Sequence, residues 1–121
     1  MRRKDFEKLV SAALDDLPEE FARRMENIAI VVEEEAGPEE KANTGLSPYD
    51  TLLGLYQGIP LTERTSWYNM VAPDRIVIYQ RPFDELFPTD EEKVREVRRT
   101  VIHEIAHHFG ISDKRLRELG Y

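Results

Sequence analysis

Apolar residues near the N-terminus recur every three or four positions, which is the spacing of one helix face. Six of them follow this spacing between residues 3 and 17: Phe6, Leu9, Val10, Ala13, Leu14 and Leu17. Charged residues fill the positions between them, so this segment predicts an amphipathic helix. Pro18 ends the helix and is suited to open a short second one. We expect these helices to cover one side of a hydrophobic core.

Three short apolar stretches predict β-strands: residues 27–35, 52–56 and 75–81. The first and third have apolar residues at consecutive positions, so both of their faces are expected to be buried. The first is expected to lie in the centre of the sheet. Gly54 interrupts the second strand, which indicates either a bulge or an edge strand that another backbone approaches closely, as when an extended peptide is bound.

Two stretches with turn-forming residues separate the predicted strands. Residues 36–51 and 61–74 are expected to be loops, and the first is long for a compact domain. The second loop contains the only tryptophan, Trp67, followed by Tyr68. This aromatic pair is expected either to line a pocket or to cover an edge of the core.

The C-terminal third predicts a long helix at residues 90–109. Thr89 and Glu92 form a capping box at its start, and Gly110 is suited to end it in a left-handed conformation. Ser112 is then placed to cap a last short helix. Five apolar residues form a stripe along one side of the long helix: Val94, Val97, Val101, Ile105 and Phe109.

Composition limits the classes of function. The chain has 121 residues and no cysteine, which excludes disulfides, thiolate ligands and a cysteine nucleophile and is typical of a cytoplasmic protein. Asp5 and Glu7 interrupt the basic N-terminus, so no secretory signal is expected, and no stretch has the length and apolarity of a membrane span. We expect one domain, residues 1–121, in the cytoplasm and without a membrane partner.

The charge distribution argues against a nucleic-acid partner. The net charge is −7, whereas proteins that bind phosphate backbones need a basic face. The acidity is uneven, because residues 1–60 carry 13 Asp and Glu against 7 Lys and Arg, and residues 61–121 carry 11 against 10. A local basic patch in the second half therefore stays open, but no nucleic-acid partner is expected.

All three histidines lie in the predicted long helix, in a His-Glu-x-x-His pattern followed by a further histidine. Positions i and i+4 share a helix face, so His103 and His107 are able to bind one metal ion. They lie nearly opposite the apolar stripe. Asp113 is able to supply a third ligand because Gly110 permits the chain to turn back. Alternatively, Asp113 only stabilises the start of the last helix.

This set of donors matches a catalytic zinc site, which has three protein ligands and an open position for water. Zinc lowers the pKa of such a water toward neutrality. Glu104 lies beside the ligands and is placed to take the proton as a general base. His108 projects toward the packing side of the helix, so it is expected to be buried and hydrogen-bonded rather than a ligand.

The segment from His103 to Asp113 resembles the zincin metallopeptidases that have a His-Glu-x-x-His-x-x-Gly-x-x-Asp pattern. Most of residues 50–121 resembles a family of small bacterial zincin-like metallopeptidases. The other matching pieces are Leu53-Gly54-Leu55-Tyr56-Gln57-Gly58 and Pro73-Asp74-Arg75-Ile76. The resemblance implies a minimal zincin-like fold of the α+β class, with a small mixed sheet packed on N-terminal helices and a C-terminal active-site helix.

The resemblance also implies how such a protein works. A substrate cleft is expected between the active-site helix and an edge strand. The implied cofactor is zinc, with His103, His107 and Asp113 as metal ligands and Glu104 as the general base. The group that stabilises the oxyanion is not identified by the resemblance. Three tyrosines are candidates: Tyr56, Tyr79 and Tyr121.

We therefore predict a zinc-dependent peptidase that acts on a peptide or protein substrate. Two alternatives stay open. One is a metal-dependent endoribonuclease, since small bacterial enzymes of RNA maturation have a similar short histidine pattern, although the acidic composition and Asp113 count against it. The other is a non-catalytic zinc-binding regulatory module, in which His107 would stabilise the fold and Glu104 would have no role.

Overall fold

The computed structural model describes residues 1–58 and 74–121. The α-helices in these ranges are α1 (Arg3–Asp15), α2 (Glu19–Ala22), α3 (Pro38–Asn43), α4 (Gln80–Leu86), α5 (Asp90–Phe109) and α6 (Asp113–Glu118), and a short 3-10 helix spans Arg24–Asn27. The strands are β1 (Ile28–Glu33), β2 (Gly54–Gly58) and β3 (Asp74–Tyr79). The protein is therefore of the predicted α+β class, and the predicted N-terminal and long C-terminal helices are both present.

The described strands form one mixed sheet in the order β1-β3-β2. Strand β3 pairs in parallel with β1 and antiparallel with β2. The prediction that the first strand is central was wrong, because β1 lies at an edge of the described sheet. Burial explains the difference: residues 76–79 of β3 are all buried, whereas only Ile28 is buried in β1. Both strands have consecutive apolar residues, but only β3 is buried along most of its length.

The main core lies between one face of the sheet and helices α1 and α5. Its buried side chains include Phe6, Val10, Ile76, Ile78, Val97, Val101, Ile102 and Ile105. A smaller cluster on the other face of the sheet contains Ala36, Val77 and Tyr79. Within residues 1–58 and 74–121, no helix has the length and apolarity that crossing a membrane requires.

Helix α5 has the bounds that the sequence predicts. The Thr89 side chain accepts a hydrogen bond from the Glu92 amide, and Gly110 ends the helix with a φ of 71°. Phe109 was expected in the buried stripe but is 41% exposed. Residues spaced by four drift by about 40° around a helix per step, so the stripe turns away from the core before residue 109. Ile102 and Ala106 are buried in its place.

Residues 36–51 are not a plain loop as predicted, because Pro38–Asn43 form α3. Proline is favourable in the first turn of a helix, where its missing N–H costs nothing. Glu40 of α3 accepts a hydrogen bond from the Tyr79 hydroxyl, which connects this helix to the central strand. The loop predicted at residues 61–74, with Trp67 and Tyr68, lies outside the described residues except for the start of β3.

Strand β2 lies along α5, and Gly54 determines how closely the two approach. The register of β2 with β3 is continuous from Gly54 to Gly58, so the bulge interpretation was wrong. A Cβ added at Gly54 would lie 2.7 Å from Cγ2 of Thr100 and 3.1 Å from the Val77 carbonyl oxygen. The glycine is therefore needed because a helix side chain occupies the space of its missing Cβ.

Replacing Gly54 by alanine should destabilise the fold by about 1–3 kcal/mol through overpacking, as measured by urea unfolding. Gly37→Ala is the control, since the nearest atom to its added Cβ is 3.8 Å away. Combining Gly54→Ala with Thr100→Ser removes the clashing methyl group and should recover part of the loss. Equal stability of Gly54→Ala and wild type would contradict the close contact.

Candidate metal centre

His103 and His107 lie on one face of α5, as their spacing predicts. Their ring centroids are 6.3 Å apart, and the rings meet at 81°. His103 is half-buried and His107 is exposed. The opposite side of the helix is held in the core by Val101 and Ile105, which are both fully buried. The backbone that carries the two imidazoles is therefore fixed by packing on the far side of the helix.

Asp113 is the first residue of α6, directly after Ser112, whose side chain accepts a hydrogen bond from the Arg115 amide. Its negative charge raises the pKa of His103, although other influences on that pKa are larger. Among residues 1–58 and 74–121, no three His, Asp or Glu side chains are gathered in an arrangement ready for a metal ion. The structure thus brings the two histidines together and places Asp113 in their electrostatic neighbourhood, without completing a three-ligand group.

The donors that are present fit a zinc ion. Burial lowers the pKa of His103 from its ordinary value, and the neighbouring His107 and Arg99 lower it further. A lowered pKa favours neutral imidazole, which is the form that binds metals. Two imidazoles with a carboxylate nearby are also a common ligand set of zinc in proteins. His103 and His107 are therefore the residues that would hold the ion.

Glu104 lies where α5 meets β2. Its Oε1 accepts a hydrogen bond from the Tyr56 backbone amide, with the two atoms 2.9 Å apart. Burial raises the pKa of Glu104, and this outweighs the hydrogen bond from Tyr56 and the charge of His107, which lower it. A carboxyl group with a raised pKa holds a proton more readily, as a general base near neutral pH must.

A groove of about 300 Å³ runs beside Glu104 and His103, between α5 and the start of β2. Its lining consists of Thr51, Leu52, Leu53, Gly54, Glu96, Arg99, Thr100, His103 and Glu104. A larger groove of about 380 Å³ lies between α1 and β1 but contains no histidine. The 300 Å³ groove reaches the candidate chemistry, and it lies between the helix and an edge strand of the described sheet.

The zincin-like metallopeptidase family model matches residues 25–121. The chain belongs to the zincin-like metallopeptidase family. Its fold is similar to the solved structure of a conserved hypothetical protein from Thermo thermophilus, at 24% identity over 90% of this chain and 94% of that chain, with a TM-score of 0.60. None of the curated proteins shows significant sequence similarity. Family membership supports a metal-dependent peptidase in general terms and zinc as the metal.

His108 of this zincin-like protein is not buried, contrary to the prediction. Its side chain is 40% exposed, and its Nε2 lies 4.0 Å from Oδ2 of Asp74. The ring stacks on Tyr56 with a centroid distance of 3.8 Å and an interplanar angle of 13°. The hydrophobic core does not extend to the turn of α5 that carries His108, and β2 packs against the helix there instead. The sequence contains no local signal for this contact, because Tyr56 is more than fifty positions away.

Two of the three candidate oxyanion donors have hydroxyl groups engaged elsewhere. The Tyr79 side chain is fully buried on the far face of the sheet, and its hydroxyl donates to Glu40. The Tyr56 hydroxyl donates to Oδ2 of Asp74 over 2.6 Å. Tyr79 is thereby excluded as a catalytic group in the zincin-like site, and Tyr56 is held by a carboxylate of the neighbouring strand.

The raised pKa of Glu104 predicts a pH dependence of stability in the metal-free protein. Between the ordinary glutamate pKa of about 4.3 and the raised pKa of the folded state, the unfolded chain has released a proton that the folded state still holds, so the free energy of unfolding falls as pH rises. Glu104→Gln removes this titration and keeps an oxygen for the Tyr56 amide. With a chelator present, its Tm should rise relative to wild type as the pH increases from about 4 to 8.

Glu85→Gln is the control for this measurement, because Glu85 is an exposed residue of α4. It makes the same change of glutamate to glutamine at an exposed position and is measured over the same pH range. A pH-independent Tm difference for Glu104→Gln would contradict the raised pKa.

Proposed function

We propose that the protein is a zinc-dependent peptidase that hydrolyses peptide bonds, with Glu104 as the general base. One observation carries the proposal: two adjacent imidazoles and a half-buried carboxyl of raised pKa lie side by side on one capped helix, at the border of a groove. Each part of this arrangement has a place in metal-assisted hydrolysis. Family membership supports the same class of reaction.

His103, His107 and Asp113 are the proposed ligands. Zinc, when bound, supplies an acidified water and polarises a substrate carbonyl. Asp113 follows Gly110 by three residues, and the left-handed conformation of Gly110 already turns the chain back at the end of α5. This turn supports the proposal that Asp113 is the third ligand.

Glu104 takes a proton from the attacking water and later delivers it to the leaving amine. The Tyr56 amide fixes one of its carboxyl oxygens, and the second oxygen serves the proton transfer. Burial of the carboxyl group raises its pKa toward the operating pH, which makes both the uptake and the release of a proton accessible.

The proposed substrate is an extended peptide or protein segment. Strand β2 lies at an edge of the described sheet, and an edge strand binds an extended chain through its main-chain groups. The groove between β2 and α5 would place such a segment beside Glu104 and His103. No nucleic-acid partner is proposed.

Replacing Glu104 by glutamine should leave zinc binding intact and reduce turnover by about 100-fold or more, since a positioned general base contributes about 10²–10⁴-fold. Zinc content of the purified variant and hydrolysis of a random mixture of quenched fluorescent peptides provide the two measurements. Glu85→Gln, which changes an exposed glutamate of α4, serves as the control. An unchanged rate in Glu104→Gln, together with loss of stability in His107→Ala, would indicate a non-catalytic zinc module instead.

Replacing Asp113 by asparagine should weaken zinc binding by at least about tenfold, because a direct ligand contributes no less than the outer-shell groups of a metal site. Asp90→Asn is a matched control, since each of the two aspartates is the first residue of its helix and next to a capping side chain. Zinc titration measures the role of Asp113 as a ligand, and thermal melts measure its role in stabilising the start of α6. Equal zinc affinity in both variants would show that Asp113 only stabilises the start of α6.

A further inference from the structure

Strand β2 and helix α5 contact each other through a regular series of residues. Three pairs form the series: Gly54 with Thr100, Tyr56 with Glu104, and Gly58 with His108. Each step advances two residues on the strand and four on the helix. Two strand residues span about 6.6 Å and four helix residues rise about 6.0 Å, so the two elements stay in step over the whole length of β2.

Tyr56 occupies the middle of this series, and its side chain is held on two sides. Its hydroxyl donates to Oδ2 of Asp74 over 2.6 Å, and its ring stacks on His108 at 3.8 Å. Gly58 borders both partners of Tyr56, because a Cβ added there would lie 3.4 Å from Cε1 of His108 and 3.5 Å from Oδ1 of Asp74, in ordinary van der Waals contact. We call the three side chains of Tyr56, Asp74 and His108 the tyrosine clamp.

The backbone of the same tyrosine holds Glu104. Because the Tyr56 amide donates to Oε1 of Glu104, any shift of Tyr56 along or away from α5 moves the donor that fixes the carboxyl group. In the described sheet, β2 has a strand neighbour on one side only, β3. Pairing with β3 and side-chain contacts with α5 together position the Tyr56 amide relative to the helix.

We propose that the tyrosine clamp positions Glu104 for general-base catalysis, with His108 and Asp74 acting through Tyr56. The inference rests on the proposed function, in which Glu104 is the catalytic base. His108 and Asp74 are proposed as positioning residues, since both contact Tyr56, whose amide holds Glu104. His108 acts here through ring stacking, and neither as a metal ligand nor as a proton carrier.

Hydrogen exchange of the Tyr56 amide in the metal-free protein tests whether the tyrosine clamp holds this amide in place. His108→Ala removes the stacked ring and should speed exchange at this amide about tenfold, because local opening becomes easier. His108→Phe keeps a ring at this position and should restore slow exchange. The Leu55 amide is the internal reference, because Leu55 is paired with Val77 in the sheet. Tyr49→Phe is the control variant, since the Tyr49 side chain is 97% exposed.

Peptide hydrolysis by the zinc-loaded protein tests whether the held amide positions Glu104 for catalysis. The substrate is the same random mixture of quenched fluorescent peptides. His108→Ala should lower kcat by roughly 10- to 100-fold, as expected for a misplaced catalytic group, while KM and zinc affinity stay near wild type. His108→Phe should restore kcat. Tyr56→Phe removes the hydroxyl contact with Asp74 and should give a smaller loss of kcat, and Tyr49→Phe should give none.

Several results would overturn the proposal. Unchanged exchange at Tyr56 in both His108→Ala and Tyr56→Phe would show that the clamp does not hold this amide. Faster exchange with unchanged kcat would show that the amide does not position the base. Failure of His108→Phe to restore kcat would assign His108 a role through its ring nitrogens. If the zinc-loaded wild type hydrolyses no peptide, the proposed function fails, and the exchange rates still decide separately whether the clamp holds the amide.

Discussion

The contact between β2 and α5 is the constraint on which the candidate site depends. One side of α5 is fixed by the core, and His103 and His107 lie on the other side of the helix. Gly54 allows β2 to come close enough for its backbone to reach a helix side chain, since Thr100 fills the space of the missing Cβ. From this approach follow the hydrogen bond from the Tyr56 amide to Glu104 and the groove beside it.

The half-buried carboxyl of Glu104 illustrates how function and stability oppose each other here. Burying a carboxylate is unfavourable unless hydrogen bonds compensate, and the Tyr56 amide supplies one such bond. The compensation is incomplete, because burial still raises the pKa of Glu104. A fully compensated carboxylate would be a weaker base, so the residual penalty is the property that general-base catalysis requires. Sites of this kind commonly lower stability in favour of activity.

The sequence predicts those parts of the structure that depend on local signals. Helix α5 and both of its ends follow from the Thr89 cap, the apolar spacing and Gly110, which all act within a few residues of one another. The strand order and the environment of His108 do not follow, because they depend on pairings between distant segments. The bond between Tyr56 and Glu104 spans 48 positions, and no periodicity in either segment encodes its partner. The resemblance noted for residues 50–121 also extends further, since the family model begins at residue 25.

Asp113 shows how two roles compete for one side chain. At the start of α6 a carboxylate is favoured by the helix dipole, typically by about 0.3–1 kcal/mol, and Ser112 caps the same turn. The rest of α6 is held by Leu116, which is buried, and by the Arg115–Glu20 ion pair at 3.0 Å. If Asp113 moves to bind a metal ion, we therefore expect the backbone to change at the turn around Gly110, where an added Cβ would meet no atom within 4 Å. Because zinc binding releases far more free energy than the helix dipole supplies to one carboxylate, the proposed ligand role of Asp113 is compatible with its place at the start of α6.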